Sequence, residues 1–262
     1  MKPSSQYVPP HGPVGRHSSR HLRRRRRHRL RGRAALRRRR LPRLFISDVH
    51  AVGPLAKRVG AIPAKPALAG SARPAVATSA REDQVQSLVG AAESVMGGTD
   101  VLINNAGLGT SKLVVEMGDD EWHKVIDVTL TGTFRMTRAM LKAMQPRGRG
   151  VIVNNASVLG WRAQAEQAHY AAAKAGVMAL TRCSALEAAP FGVRINAVAP
   201  SIAVHAFLKK SASEELLDEL TSKEAFGRGA EPWEVANVMV FLASDYASYM
   251  TGEVVSVSAQ HA

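Results

Sequence analysis

Cysteine and long apolar runs are nearly absent from this 262-residue chain. The single cysteine, Cys183, excludes an internal disulfide and is typical of a reducing compartment. No run of about 18 apolar residues occurs, so we expect no membrane span, and no apolar secretory signal is visible near the N-terminus. These absences favour a cytoplasmic protein with no membrane partner. Apolar residues still make up 45% of the chain, enough for a sizeable core.

Acidic residues are missing from residues 1–44. Residues 1–80 hold 20 Lys or Arg and one acid, Asp48, whereas residues 81–262 hold 16 Lys or Arg and 20 acids. Like charges repel in the blocks Arg23–Arg27 and Arg37–Arg40, so we expect a disordered arm over 1–44 and a folded domain over 45–262.

The arginine-rich arm offers a second functional hypothesis. Its charge would bind polyanions with a steep salt dependence. It has few aromatic residues for base stacking and no recognised reading motif, so we expect no specific nucleic-acid partner. Nucleic-acid binding is the less favoured alternative.

From Arg81 onward the pattern alternates between helices and strands. Apolar residues spaced by threes and fours predict a helix over 81–98. Short apolar runs predict buried strands in DVLINNAG, GVIVNNAS and VRINAVAPS and a last strand in TGEVVSVSA, and FISDVH (residues 45–50) is predicted to be a strand end. The order predicts an α/β fold with a doubly wound parallel sheet in a single domain. Such sheets bind ligands at the carboxyl ends of their strands.

Tyr170 and Lys174 are the first candidate catalytic residues. On a helix they are four residues apart, so both side chains project from one face. A nearby ammonium lowers the pKa of a phenol, which makes it a usable acid or base. Ser157 follows a predicted strand and can place a hydroxyl beside the same reacting oxygen. Taken alone, such a pair is more often a solvated helix face.

The tetrapeptide Asn104–Gly107 follows a predicted strand, where small residues let a ligand approach the backbone. A plain turn would use the same residues. Together with Ser157, Tyr170-x-x-x-Lys174 and RINAVAPS, however, it resembles the short-chain dehydrogenase/reductase family over residues 81–262. More narrowly, the chain resembles actinobacterial reductases of sterol C/D-ring degradation and bacterial 3-oxoacyl thioester reductases.

The resemblance implies a Rossmann-like oxidoreductase of lipid or steroid metabolism that acts on CH–OH groups. Tyr170 would exchange a proton with the carbonyl or alcohol oxygen, Ser157 would hydrogen-bond it, and Lys174 would bind the nicotinamide ribose. The resemblance further implies that a small molecule, either a cyclic ketone or a 3-oxoacyl CoA thioester, is the substrate, and that the chain forms a tetramer or dimer. The expected cofactor-binding residues are Asp48, Asn105, Ala106, Gly107, Tyr170, Lys174 and Ala203, and no metal is expected.

Asp48 bears on the choice between NAD and NADP. It closes a strand-like run where the family often places an acid on the adenosine ribose. A carboxylate accepts a hydrogen bond from the 2′-hydroxyl and repels a 2′-phosphate, so NAD is favoured over NADP. A surface aspartate in a turn is the alternative.

Several features depart from the family. Residues 1–44 lack the glycine-rich dinucleotide fingerprint, and the prolines of residues 51–80 disfavour long helices and central strands. We hypothesise that two compensated frame slips in a GC-rich gene produced both stretches. Without a first strand, we expect exposed edges at the strands containing VLI and VIV. Thr129 replaces a frequent catalytic Asn and puts the family's proton relay in question, so an inactive pseudoenzyme stays open.

Overall fold

The computed structural model describes residues 43–48, 75–76, 81–204, 208 and 213–259. The chain divides into two units, residues 1–40 and 41–262, and all of the described residues belong to the second unit. The expected disorder of the arginine-rich arm falls almost entirely outside the described residues. Of the aberrant stretch 51–80, only Ala75 and Val76 are described.

A parallel sheet forms the centre of the described part of the chain. Its six strands lie in the order β2-β1-β3-β4-β5-β6. The expected doubly wound parallel sheet is therefore confirmed. The strand bounds are β1 Leu44–Asp48, β2 Ala75–Val76, β3 Val101–Asn104, β4 Gly150–Asn155, β5 Val193–Pro200 and β6 Val254–Val257.

The described helices lie between the strands, as their periodicity predicts. The long helix expected after Gly118 is interrupted by a π-helical turn, Asp127–Thr131. The helix bounds are α1 Glu82–Met96, α2 Asp119–Ile126, α3 Gly132–Met144, α4 Ala168–Ala188, α5 Glu214–Ser222 and α6 Pro232–Ala243. None of the helices in the described ranges has the length and apolar character to cross a membrane.

The sheet is buried on both faces because successive side chains of a strand point to opposite sides. Leu102 of β3 packs in one core with residues of α1, α3 and α4. Its neighbours Val101 and Ile103 pack in a second core with residues of α6. The two cores explain why these strands are continuous apolar runs.

One expectation about the sheet is wrong. The strand that contains VLI is not an edge, because β1 pairs with β3 from Leu44↔Val101 to Ser47↔Asn104. The strand that contains VIV, β4, lies between β3 and β5. At the start of β1, the Arg43 backbone N–H and Nε donate to Asp100 Oδ2 at 3.1 and 3.0 Å. Hydrogen bonding and this ion pair place β1 where the sequence alone leaves a gap.

Two glycines test the described backbone, because Gly192 has a left-handed φ and Gly90 does not. Gly192, just before β5, has φ +68°, and an added Cβ would lie 2.5 Å from the Gly148 carbonyl oxygen. Gly192→Ala should therefore lower the free energy of unfolding by about 1–3 kcal/mol. Gly90 lies within α1 with nothing within 4 Å of an added Cβ. Gly90→Ala should raise that free energy by about 0.5–1 kcal/mol. Denaturant unfolding measures both values, and equal effects would contradict the described backbone.

Candidate active site

The candidate site lies where β3 and β4 end side by side. Asn104 pairs with Asn154 in the parallel register, so the segments that follow the two strands emerge together. Asn105, Ala106 and Gly107 follow β3, and Ser157 follows β4. The sheet thus brings these sequence-predicted residues to one edge.

Buried amides fix the ends of these strands. Asn104 Nδ2 donates to Asn154 Oδ1 at 2.8 Å and to Thr137 Oγ1 at 3.1 Å. Asn154 Nδ2 in turn donates to Thr181 Oγ1 at 2.9 Å. This ladder was not predicted from the sequence, although an asparagine at the end of each of two neighbouring buried strands is a visible signal of it.

Tyr170 lies in the first turn of α4, beside both strand ends. The half-buried ring packs against Gly109, where an added Cβ would lie 3.1 Å from Tyr170 Cδ2. Ser157 is only 8% exposed and hydrogen-bonds with Tyr170. The Ser157 Oγ also accepts from the Leu159 N–H at 3.2 Å, which leaves its own proton to donate elsewhere.

Lys174 lies one turn after Tyr170 and is 2% exposed. Its Nζ donates to the Asn155 carbonyl at 2.6 Å and lies 5.5 Å from the Tyr170 ring centroid. An added Cβ at Gly107 would lie 3.2 Å from this Nζ, so the glycine leaves room for the ammonium. Burial lowers the pKa of Lys174 to about 8.

Burial opposes the expected acidification of Tyr170. Burial raises the pKa of Tyr170 to about 12, and the hydrogen bond with Ser157 acts in the opposite direction. A phenolate loses hydration when it is buried, and this cost outweighs the hydrogen bond. The same burial disfavours the charged form of Lys174, which weakens the cation that was expected to stabilise the phenolate.

Asn155 joins the two strand ends through its side chain, which the sequence analysis missed. Its Nδ2 donates to Asn105 Oδ1 at 2.8 Å, while its backbone carbonyl holds Lys174. The Asn155 Oδ1 is buried and has no hydrogen-bond partner among the described residues. One residue therefore connects the segment after β3 with the buried ammonium.

Thr129, in the π-helical turn, also faces this segment. Its fully buried side chain accepts from the Leu108 N–H at 3.0 Å and donates to the Leu108 carbonyl at 3.2 Å. Both bonds hold the backbone next to Gly107. Where the family has a catalytic Asn, this chain thus has a side chain that fixes the loop.

The remaining predicted cofactor residues lie at the same end of the sheet. Ala106 is buried, and Ala203, after β5, forms a β-bridge with Ala230. Asp48 is the last residue of β1, and the residue before it pairs with Asn104. The register therefore brings Asp48 level with Asn105.

The described residues fit the nicotinamide-ribose end of a dinucleotide. The buried Lys174 ammonium supplies a donor, and Gly107 beside it leaves space. Asn155 Oδ1, which has no partner among the described residues, supplies an acceptor. Residues 1–42, where the family's diphosphate-binding loop is expected, lie outside the described ranges. Within these ranges, no group of three His, Cys, Asp or Glu side chains is arranged to hold a metal ion.

Comparison with known proteins agrees with this geometry. The family model described as Enoyl-(Acyl carrier protein) reductase matches residues 53–259, which includes most of the compositionally unusual stretch 51–80. A short chain dehydrogenase from Mycobacterium smegmatis has a similar structure, with a TM-score of 0.69 and 44% identity. The match covers 84% of this chain and 93% of that one.

Two curated relatives are informative. The (5R,7aS)-5-hydroxy-7a-methyl-1-oxo-2,3,5,6,7,7a-hexahydro-1H-indene-carboxyl-CoA reductase of Mycobacterium tuberculosis is 67% identical over 180 residues, 68% of each chain. The 3-oxoacyl-(acyl-carrier-protein) reductase of Vibrio cholerae is 36% identical over 176 residues, 67% of this chain and 72% of that one. These matches, together with the residues gathered at the sheet edge, lead to one assignment. The chain belongs to the short-chain dehydrogenase/reductase family of NAD(P)-dependent oxidoreductases.

Proposed function

We propose that this chain reduces a ketone carried on a coenzyme A thioester, with NADH as the preferred hydride source. The cluster of Ser157, Tyr170 and Lys174 at the carboxyl edge of the sheet is the observation that carries the proposal. A fused-ring ketone is the first candidate substrate and a 3-oxoacyl thioester the second. We further propose a cytoplasmic homo-oligomer, a tetramer or a dimer.

The nicotinamide, when bound, supplies the hydride, and the protein supplies a proton and the geometry. Tyr170 donates its phenolic proton to the developing alkoxide oxygen. Ser157 donates a hydrogen bond to the same oxygen, since its Oγ accepts from the Leu159 N–H and keeps its own proton to donate. Lys174 holds the nicotinamide ribose, with its ammonium oriented by the Asn155 carbonyl.

The protonation state of Tyr170 is the one that reduction of a carbonyl requires. With a pKa of about 12, the phenol carries its proton throughout the neutral range. Reduction of a carbonyl consumes such a proton, whereas oxidation of an alcohol needs the phenolate. We infer that Tyr170 can act as the proton donor near neutral pH.

The relatives support the choice of substrate. The 67% identical relative is named for an indene-carboxyl-CoA, and the 36% identical relative for a 3-oxoacyl carrier-protein thioester. Higher identity favours the fused-ring thioester, which would belong to steroid breakdown. Exposed apolar side chains on α3 and α4, Phe134 and Leu186, support self-association through those helices.

The first prediction about the site concerns Tyr170. Tyr170→Phe removes the proton donor and keeps the ring, so kcat for ketone-dependent NADH oxidation should fall about 100-fold or more. Tyr246→Phe is the matched control, because Tyr246 is 90% exposed. Its kcat should stay within about 2-fold of the unsubstituted chain, as surface changes are near neutral.

The outcome separates the proposal from an inactive pseudoenzyme and tests whether Tyr170 is the proton donor. An unsubstituted chain that folds but oxidises no NADH with either ketone class would indicate a pseudoenzyme. A Tyr170→Phe variant as active as the unsubstituted chain would show that another group donates the proton.

The second prediction concerns the cofactor. Asp48→Asn removes the charge that would repel a 2′-phosphate, so the ratio of kcat/KM for NADPH to that for NADH should rise about 10-fold or more. Asp120→Asn, an exposed change in the first turn of α2, is the control and should leave the ratio unchanged. Steady-state kinetics with both nucleotides measures it. An unaltered ratio in Asp48→Asn would remove Asp48 from the cofactor site.

The third prediction comes from the buried ammonium. Below about pH 8 the folded chain carries a buried charge, whereas between about pH 8 and 10.5 only the unfolded chain keeps that proton. The free energy of unfolding should therefore rise with pH in this window, by up to about 3 kcal/mol relative to Lys174→Met. Denaturant unfolding at several pH values measures the difference.

Lys223→Met is the control for this titration, because Lys223 is exposed and pairs with Glu219. Relative to this variant, no comparable rise is expected over the same window. A stability difference between the unsubstituted chain and Lys174→Met that does not change with pH would mean that Lys174 is not buried as described.

A further inference from the structure

His169 precedes Tyr170 on α4 and takes no part in the proposed chemistry. Its side chain is fully buried, and its Nε2 lies 2.7 Å from the Thr110 Oγ1. The Thr110 Oγ1 also donates to Glu121 Oε1 at 3.1 Å. A hydrogen-bonded chain therefore runs from the first turn of α4, through the segment after β3, to the first turn of α2.

The number of available donors fixes the position of each proton in this series of hydrogen bonds. A threonine hydroxyl has one proton, and a carboxylate only accepts, so the Thr110 proton points to Glu121. His169 must then donate from Nε2 to the Thr110 oxygen. The other ring nitrogen, Nδ1, is buried and has no hydrogen-bond partner among the described residues. The buried imidazole is thus held by one directed bond.

Further bonds join the same two segments. Gln167 Nε2 donates to the Thr110 carbonyl at 3.1 Å and to Ser111 Oγ at 3.0 Å. The Lys112 N–H donates to the Glu166 carbonyl at 3.0 Å, and Glu166 has a left-handed φ of +64°. A non-glycine residue in that region costs about 1 kcal/mol or more, so surrounding contacts must hold it. We call these bonds, with the chain through His169, the loop latch.

The loop latch acts on a segment that has no regular structure of its own. Residues 105–113 form neither helix nor strand. Within this segment, Gly109 touches the Tyr170 ring, and an added Cβ would lie 3.1 Å from Cδ2. The bonds from α4 to Thr110 therefore set how closely the loop backbone packs on the proton donor.

We propose that His169 and Thr110 are positioning residues, which hold Gly109 against Tyr170 through the hydrogen-bonded chain to Glu121. This inference rests on the proposed function, since the ring they position is the proposed proton donor. Loss of these hydrogen bonds leaves the Lys174–Asn155 and Asn155–Asn105 bonds at the proposed nucleotide site in place. It therefore impairs the chemical step more than nucleotide binding.

Thr110 provides the sharpest test, because two variants differ only in the hydroxyl. Thr110→Val removes both hydrogen bonds at nearly constant shape, and kcat should fall about 10-fold or more while KM for the nucleotide changes less than about 3-fold. Thr110→Ser keeps the hydroxyl and should restore kcat to within about 3-fold. Thr131→Val, which loses only an exposed bond to Asp127, is the control.

His169 is tested in the same way. His169→Gln keeps an N–H donor at a similar reach and should retain more of kcat than His169→Leu. Because His169→Leu can fail to fold, the Thr110 pair decides the matter. Equal kcat losses in Thr110→Val and Thr110→Ser would overturn the proposal, as would an undiminished kcat in Thr110→Val.

A readout without turnover separates this inference from the proposed function. Hydrogen–deuterium exchange of the peptide over residues 108–113 should quicken in Thr110→Val and stay slow in Thr110→Ser, because the Lys112 N–H depends on the latch. Unchanged exchange in Thr110→Val would overturn the latch. If the unsubstituted chain reduces no ketone, the proposed function fails, and the exchange data still decide whether Thr110 holds the loop.

Discussion

The hydrogen bond from Lys174 Nζ to the Asn155 carbonyl is the interaction on which the site depends. An ammonium with almost no contact with water is costly unless it is bonded, and burial lowers its pKa to about 8. The bond requires that the end of β4 and the second turn of α4 meet. It also fixes Tyr170 one turn earlier and Gly107 on the opposite side. An apolar residue at this position would pack without the desolvation cost. We therefore attribute the buried charge to function.

The sheet provides the second constraint. Parallel register brings Asn104 beside Asn154, and the buried amide ladder prevents the two strand ends from slipping. On the other side of β3, the start of β1 is tied to Asp100 through Arg43. The edge of the sheet is therefore continuous from Asp48 to Ser157. A dinucleotide and a ketone would need to share this edge.

Much of the fold was predictable because its signals are local. Spacing by threes and fours predicted α1, and continuous apolar runs predicted β3, β4 and β5. The four-residue separation of Tyr170 and Lys174 placed both on one face of α4. Pairing of β1 with β3 was not predictable, because register between strands 57 residues apart in sequence (Leu44 and Val101) is set by long-range contacts.

The site was predictable in its membership and less so in its electrostatics. Sequence places an ammonium near a phenol, but the pKa of Tyr170 depends on how much water each group loses, and burial raises it to about 12. The role of Asn155 depends on its backbone carbonyl, which binds Lys174. The role of His169 depends on its bond to Thr110, in a loop without regular structure. Neither feature produces a periodic pattern in the sequence. In the sequence, Thr129 stands out only as a departure from the family pattern. In the structure, its bonds to Leu108 hold the loop after β3.

Transfer of deuterium is the most direct test of the central claim, that the edge beside Lys174 and Tyr170 carries out hydride transfer to a ketone. The chain would be mixed with NADH labelled with deuterium at the transferable C4 position and a fused-ring or 3-oxoacyl CoA ketone. Mass spectrometry of the product should find one deuterium on the carbon that carried the ketone oxygen. A folded chain that gives no labelled alcohol with either ketone would contradict the account.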